Sequence, residues 1–202
     1  AGRVKTRLVP PLSAQQASSL HQAFVTDLVI HLQQNPACVL ELHTDTSTDA
    51  WKHLRVTQRL QSEGGLELKL FKALQNALAS GHGQAAVLGT DAPSLPLDHI
   101  SALLSEPADV TLGPSDDGGF WGIAARTVRA GMFARVRWSQ SDTLEQTRTA
   151  IQAAGLSCAL GPRWFDVDEP PDLYRLFRGD LPPHTARWLC DNRAAIEASR
   201  AG

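Results

Sequence analysis

Ala85-Ala86-Val87-Leu88-Gly89-Thr90-Asp91-Ala92-Pro93 is the stretch on which the reading of this chain turns. Its apolar run, bounded by turn-forming residues, reads as a short buried strand. Asp91 then stands at the carboxyl end of that strand, where open α/β sheets bind their ligands. Two readings stay open at this point. The carboxylate holds a divalent metal on a nucleotide diphosphate, or it caps the corner before Pro93.

Outward from this strand the chain alternates helices with short apolar runs. Towards the N-terminus, Ser13 is an N-cap, and Ala17, Leu20, Phe24, Leu28 and Leu32 recur at helical spacing to about residue 34. Residues 35–36 end that helix, 39–43 read as a strand and 51–60 as a short helix. Residues 66–79 form a second helix, with Leu66, Leu70, Ala73 and Ala77 on one face and Gly81 as its stop. Towards the C-terminus, helices are expected at 96–104, 140–154, 172–177 and 183–199, and strands at 109–112, 120–125 and 157–160. Such alternation predicts a mostly parallel sheet covered on both faces. No linker or repeat divides the chain, so residues 1–202 read as one domain with a helical tail at 183–199.

With 202 residues, the chain is long enough for one sizeable core. Nineteen basic against 21 acidic residues leave a net charge of −2, without the footprint of a nucleic-acid binder. Cys38, Cys158 and Cys190 are odd in number and far apart, which predicts buried reduced thiols in a cytoplasmic protein. No apolar run approaches the roughly 18 residues of a membrane span. The seven histidines lack metal-ligand spacing and read as surface or core residues.

Four polar stations fall in loops. Gly2-Arg3-Val4-Lys5-Thr6-Arg7 puts cations after a glycine, which suits a loop wrapped around phosphates as well as a solvated basic segment. Asp91 follows, with Ser94 close behind. In Pro114-Ser115-Asp116-Asp117-Gly118-Gly119 the adjacent glycines allow close approach to a ligand, or simply turn a hairpin. Asp166-Val167-Asp168-Glu169-Pro170 puts two carboxylates on one side of a strand end. Hard cations such as Mg²⁺ or Mn²⁺ take oxygen donors of this kind, while the alternative use is to complement the next helix dipole.

Taken together, residues 2–8, 89–93, 113–119, Trp138-Ser139 and 166–173 resemble a bacterial glycosyltransferase family of the arsenosugar-biosynthesis type, many of whose members are known only as a domain of unknown function. The resemblance runs in order from residue 2 to about 177. It implies a nucleotide-diphospho-sugar transferase fold, a GT-A-like Rossmann-type three-layer α/β/α sandwich that here lacks its first strand, just ahead of Gly2. By the same resemblance Gly2, Arg3, Lys5, Thr6 and Arg7 bind the nucleotide, and Asp91 and Asp168 bind the metal. Asp91 and Asp117 are the catalytic candidates, with Thr90, Ser94, Gly118 and Gly119 beside the donor sugar or acceptor. The chain departs from the family at Gly64-Gly65-Leu66-Glu67, where Gly-Asp-Leu-Gly is usual.

The expected activity is metal-dependent transfer of a sugar from a nucleotide sugar to a small-molecule acceptor, in the cytoplasm, with Mg²⁺ or Mn²⁺ as cofactor. The alternatives are nucleotidyl transfer that releases pyrophosphate from a nucleoside triphosphate, and a degenerate nucleotide-binding module.

Overall fold

The computed structural model describes residues 4–34 and 38–198. A short 3-10 turn at Thr6–Leu8 leads into α1 (Ala14–Leu32), then β1 (Glu41–Thr44), β2 (Thr57–Leu60), α2 (Leu66–Ala79) and β3 (Ala85–Leu88). The remaining elements are α3 (Leu97–Ser105), β4 (Val110–Pro114), β5 (Phe120–Ala125), α4 (Thr143–Ala153), β6 (Cys158–Leu160), α5 (Pro170–Leu176) and α6 (Pro183–Ala198).

Among the described residues two small sheets result. β1 and β2 pair in parallel, and a second sheet has the order β3-β5-β4-β6. In the latter, β5 runs antiparallel to both β3 and β4, whereas β6 is parallel to β4. The expected mostly parallel sheet is therefore a mixed one. The reason is local: residues 115–119 are too few for a crossover, so β4 and β5 close as a hairpin. Its closing bonds run from Ser115 N to Gly119 O at 3.0 Å and from Gly118 N to Ser115 O at 3.4 Å.

Both faces of the four-stranded sheet are covered. Leu70 and Leu74 of α2 and Ile151 of α4 share a core with Val110, Leu112, Ile123 and Ala125. Ile100 and Leu103 of α3 pack with Ala124 and Trp121. Strand alternation puts Ile123 and Ala125 on one face and Ala124 on the other, but Trp121 breaks the parity. A register shift at Gly113/Pro114 turns its ring onto the α3 side. Position 113 must be glycine, because a Cβ there would lie 2.3 Å from the Trp121 ring.

Behind this sheet α1 packs on α6 around Leu20, Phe24, Trp188 and Leu189. Ser13 caps α1 in a reciprocal box with Gln16, at 3.2 Å from Gln16 N to Ser13 Oγ and 2.9 Å back to Gln16 Oε1. Asp27, buried in the α1–α6 seam, accepts from His184 N at 3.0 Å and from Thr185 N and Oγ1 at 2.7 Å each. It thereby satisfies donors at the start of α6 that no intrahelical carbonyl can reach.

Several expectations need correction. The segment expected as a helix at 51–60 is a turn followed by β2, because Thr57–Leu60 pairs with Glu41–Thr44 and Arg59 meets Glu41 at 2.6 Å. The strand expected at 39–43 begins at Glu41, and Val39 is 74% exposed. β3 has the predicted bounds but, among the described residues, pairs on one edge alone, so it buries only Ala85. On α2 the buried pair is Leu70 and Leu74, with Leu66 exposed. The thiols are free, yet Cys38 and Cys190 are exposed and only Cys158 is half-buried. Among the described residues no helix is long and apolar enough to cross a membrane.

Candidate functional site

Residues 5–7 lie just ahead of α1, Thr90 and Asp91 follow β3, and Asp168 precedes α5. All meet at one cavity of about 300 Å³ lined by Val4, Lys5, Thr6, Arg7, His21, Thr90, Asp91 and Asp168. Lys5 is its centre. The backbone there is left-handed (φ 51°, ψ 39°), and the side chain is only 3% exposed. Its ammonium lies 2.6 Å from Asp91 Oδ1 and 2.8 Å from Asp168 Oδ1, and donates to Val167 O at 2.7 Å. An ammonium has three donors, and all of them are used. Both carboxylates remain partly open to solvent, at 41% and 37% exposure.

The segment carrying Asp168 is not the strand end that the sequence suggested. β6 stops at Leu160, and only an isolated bridge between Ser115 and Trp164 continues its line. Val167 N donates to Asp91 O at 2.9 Å, which ties the two acidic stations together through backbone. Val167 itself is fully buried, so this bond also anchors the site to the α1–α5–α6 core. Behind it, Asp172 accepts from Asp168 N and Glu169 N at 3.0 and 2.8 Å and caps α5.

Sequence reasoning missed His21 of this site and offered Asp166, which lies outside the cavity lining, only as half of the Asp-x-Asp pair. His21 projects from α1 and sits 3.2 Å from the Thr90 hydroxyl; burial lowers its pKa below the usual histidine range. Its ring also meets Trp51 edge-on, with centroids 6.4 Å apart. Asp166 accepts from the buried Ser115 hydroxyl at 2.6 Å. Burial pushes its carboxyl up to about 6, opposed by the Ser115 hydrogen bond and assisted by the charges of Asp117, Asp91 and Asp168. The signal for Asp166 was the Asp-x-Asp spacing itself. Nothing in the sequence marked His21, whose partner lies 69 residues away.

Among the predicted residues, Lys5, Thr6, Arg7, Thr90, Asp91 and Asp168 converge on the cavity, whereas Ser94, Asp117, Gly118 and Gly119 are not in its lining. Gly2 and Arg3 lie outside the described residues. Asp117 is exposed and accepts from Gly119 N at 2.9 Å. Its neighbour Asp116 instead pairs with Arg175 at 2.5 Å, and that guanidinium stacks 3.8 Å from the Phe165 ring. Gly118 serves the chain's own backbone: φ is +87°, and a Cβ would lie 1.9 Å from Ser141 O. Trp138 packs against Phe120 and Phe133.

Among the described residues no cluster of three or more His, Cys, Asp or Glu side chains forms a metal cage. The donor set around Lys5 is nevertheless that of a hard cation: two carboxylate oxygens and one carbonyl, all facing a single positive charge. These oxygen donors fit such an ion, and in this structure they face the Lys5 ammonium.

None of the curated proteins matches this chain. Among solved structures, a "putative nucleotide-diphospho-sugar transferase" from Desulfovibrio desulfuricans G20 is similar, with a TM-score of 0.86 and 25% identity. The alignment covers 98% of this chain and 92% of that one. The mixed α/β fold with small sheets is thus similar to that transferase structure. Residues 17–140 match the family described as "Uncharacterized protein conserved in bacteria (DUF2064)", and with most of its length inside that match the chain belongs to this family.

Proposed function

We propose that this protein is a nucleotide-diphospho-sugar transferase that moves a sugar from a nucleotide sugar to a small-molecule acceptor. The observation that carries the reading is the meeting of Lys5, Asp91 and Asp168 in one cavity, on a fold similar to a structure named for that activity. Arg7 and Lys5 supply positive charge, and Thr6 a hydroxyl, for the diphosphate. Gly2 and Arg3 extend the same loop in the sequence.

Asp91 and Asp168, with Val167 O, would hold Mg²⁺ or Mn²⁺, which supplies charge neutralisation of the departing nucleoside diphosphate. In the transfer, the bond from the sugar's anomeric carbon to the diphosphate oxygen breaks. An acceptor oxygen forms the new bond to that carbon and gives up its proton. Asp117, exposed on the β4–β5 turn, is the base for that proton. Thr90, alone of the four candidates Thr90, Ser94, Gly118 and Gly119, lines the cavity and borders the sugar or the acceptor.

Titration calorimetry with a panel of nucleoside diphosphates and Mn²⁺ tests the site. One diphosphate binds, and Asp168→Asn weakens it at least tenfold. Equal affinity in the variant removes Asp168 from the site.

A further inference from the structure

We infer that Lys5 is an internal counter-ion which a divalent cation must displace, so that cation and diphosphate bind as a coupled pair. The inference rests on the reading of this cavity as a nucleotide site. It goes beyond that reading by assigning Lys5 a second position and a gating role.

Asp91 Oδ1, Asp168 Oδ1 and Val167 O all lie 2.6 to 2.8 Å from one nitrogen. A cation drawn to the same three oxygens would compete with the ammonium for them and set two positive charges against each other. Occupancy by one therefore disfavours the other. Lys5 also holds a left-handed backbone conformation, which is unfavourable for a non-glycine residue. Its three contacts offset that cost only while the ammonium stays in place.

The charges give the exchange its consequence. Lys5 and Arg7 balance Asp91 and Asp168, so these four cavity residues carry no net formal charge. In that state the cavity offers a polyanionic diphosphate no net attraction. Entry of a divalent cation raises the sum to +2 and frees the Lys5 ammonium on its flexible stem. A diphosphate then meets the ion, Lys5 and Arg7 together. By linkage, whatever the ion adds to diphosphate affinity, the diphosphate adds to ion affinity.

Mn²⁺ binding followed by electron paramagnetic resonance, without any nucleotide, tests this directly. Lys5→Met should bind Mn²⁺ at least tenfold more tightly than the wild type, and adding Asp91→Asn to it should abolish the gain. Inorganic pyrophosphate should tighten Mn²⁺ in the wild type, and by a smaller factor in Lys5→Met. Should the variant not fold, the wild-type ammonium gives a second readout. Its ¹H–¹⁵N signal, protected by three acceptors, should be lost on addition of Mg²⁺. Equal or weaker Mn²⁺ binding in Lys5→Met, no Mn²⁺ binding in either protein, or an unchanged ammonium signal at saturating Mg²⁺ overturns the exchange. Neither readout uses a sugar nucleotide. Failure of the sugar-transfer reading would appear separately, as absence of product with the exchange intact.

Discussion

The Ser115 hydroxyl donates to Asp166 Oδ2 at 2.6 Å, which joins the end of the β4 strand to the segment that carries Asp168. Ser115 is fully buried, and Asp166 is held with its pKa raised to about 6. Charging Asp166 thus costs more in the folded chain than in the unfolded one. Between roughly pH 4 and 6 the folded state binds the extra proton, so stability falls as pH rises through that window and stays lower above it. The shift of about two units corresponds to about 3 kcal/mol. Asp166→Asn should match the wild type near pH 4 and exceed it by roughly 2–3 kcal/mol at pH 7, in urea unfolding with a chelator present. Parallel stability curves for the two proteins would contradict the assignment.

Asp27 joins α1 to α6 through three hydrogen bonds to one buried carboxylate. Asp27→Ala leaves two backbone N–H groups at the start of α6 without a partner. The expected loss is on the order of 2–3 kcal/mol, read as a lower denaturant midpoint. Hydrogen exchange should show the loss concentrated in α6. A midpoint within a few tenths of the wild type would mean that water replaces the carboxylate.

Gly118 bears both a positive φ and a backbone oxygen where its Cβ would go. Gly118→Ala should destabilise by about 2 kcal/mol or more, through strain and displacement of Ser141. The Gly118 carbonyl also accepts from Leu144 N at 2.8 Å, so the change should loosen the start of α4. Chemical denaturation measures this. At Gly131, where a Cβ meets nothing within 4 Å, the same change should cost only the strain of its φ of +86°.

Burial pushes the Cys158 thiol up to about 11, so almost none of it is thiolate at neutral pH. Cys38 and Cys190 are exposed. Iodoacetamide at pH 7.5 should modify both before Cys158, as read by peptide mass spectrometry. Early labelling of Cys158 would show that β6 opens readily.

Much of this arrangement is legible in the sequence where local signals suffice. The bounds of α2, β3 and β5 follow from apolar runs and their turn residues, and Ser13 marks the start of α1. The loops bearing Lys5, Asp91 and Asp168 are legible too, because carboxylates and cations beside turn residues have few uses in a core. What escapes is whatever depends on a distant partner. Thr57-Gln58-Arg59-Leu60 has one strongly apolar residue and becomes a strand only through pairing with β1. The antiparallel β5 is hidden because a hairpin turn and a ligand loop use the same Asp-Gly chemistry. His21 and Asp27 look like interruptions of an apolar helix, and their roles come from Thr90 and from the start of α6. Lys5 was visible as a cation, but its lodging between two carboxylates more than 80 residues away in sequence was not.

The most direct measurement of the central claim is the identity of the nucleotide product. The protein is incubated with Mn²⁺, a panel of nucleotide sugars, a panel of nucleoside triphosphates and pooled small-molecule acceptors, and products are identified by mass spectrometry. The account predicts a free nucleoside diphosphate from one sugar nucleotide, with a matching glycosylated acceptor, and loss of both in Asp91→Asn. Pyrophosphate released from a triphosphate, with no nucleoside diphosphate from any sugar donor, would contradict sugar transfer and make the chain a nucleotidyltransferase.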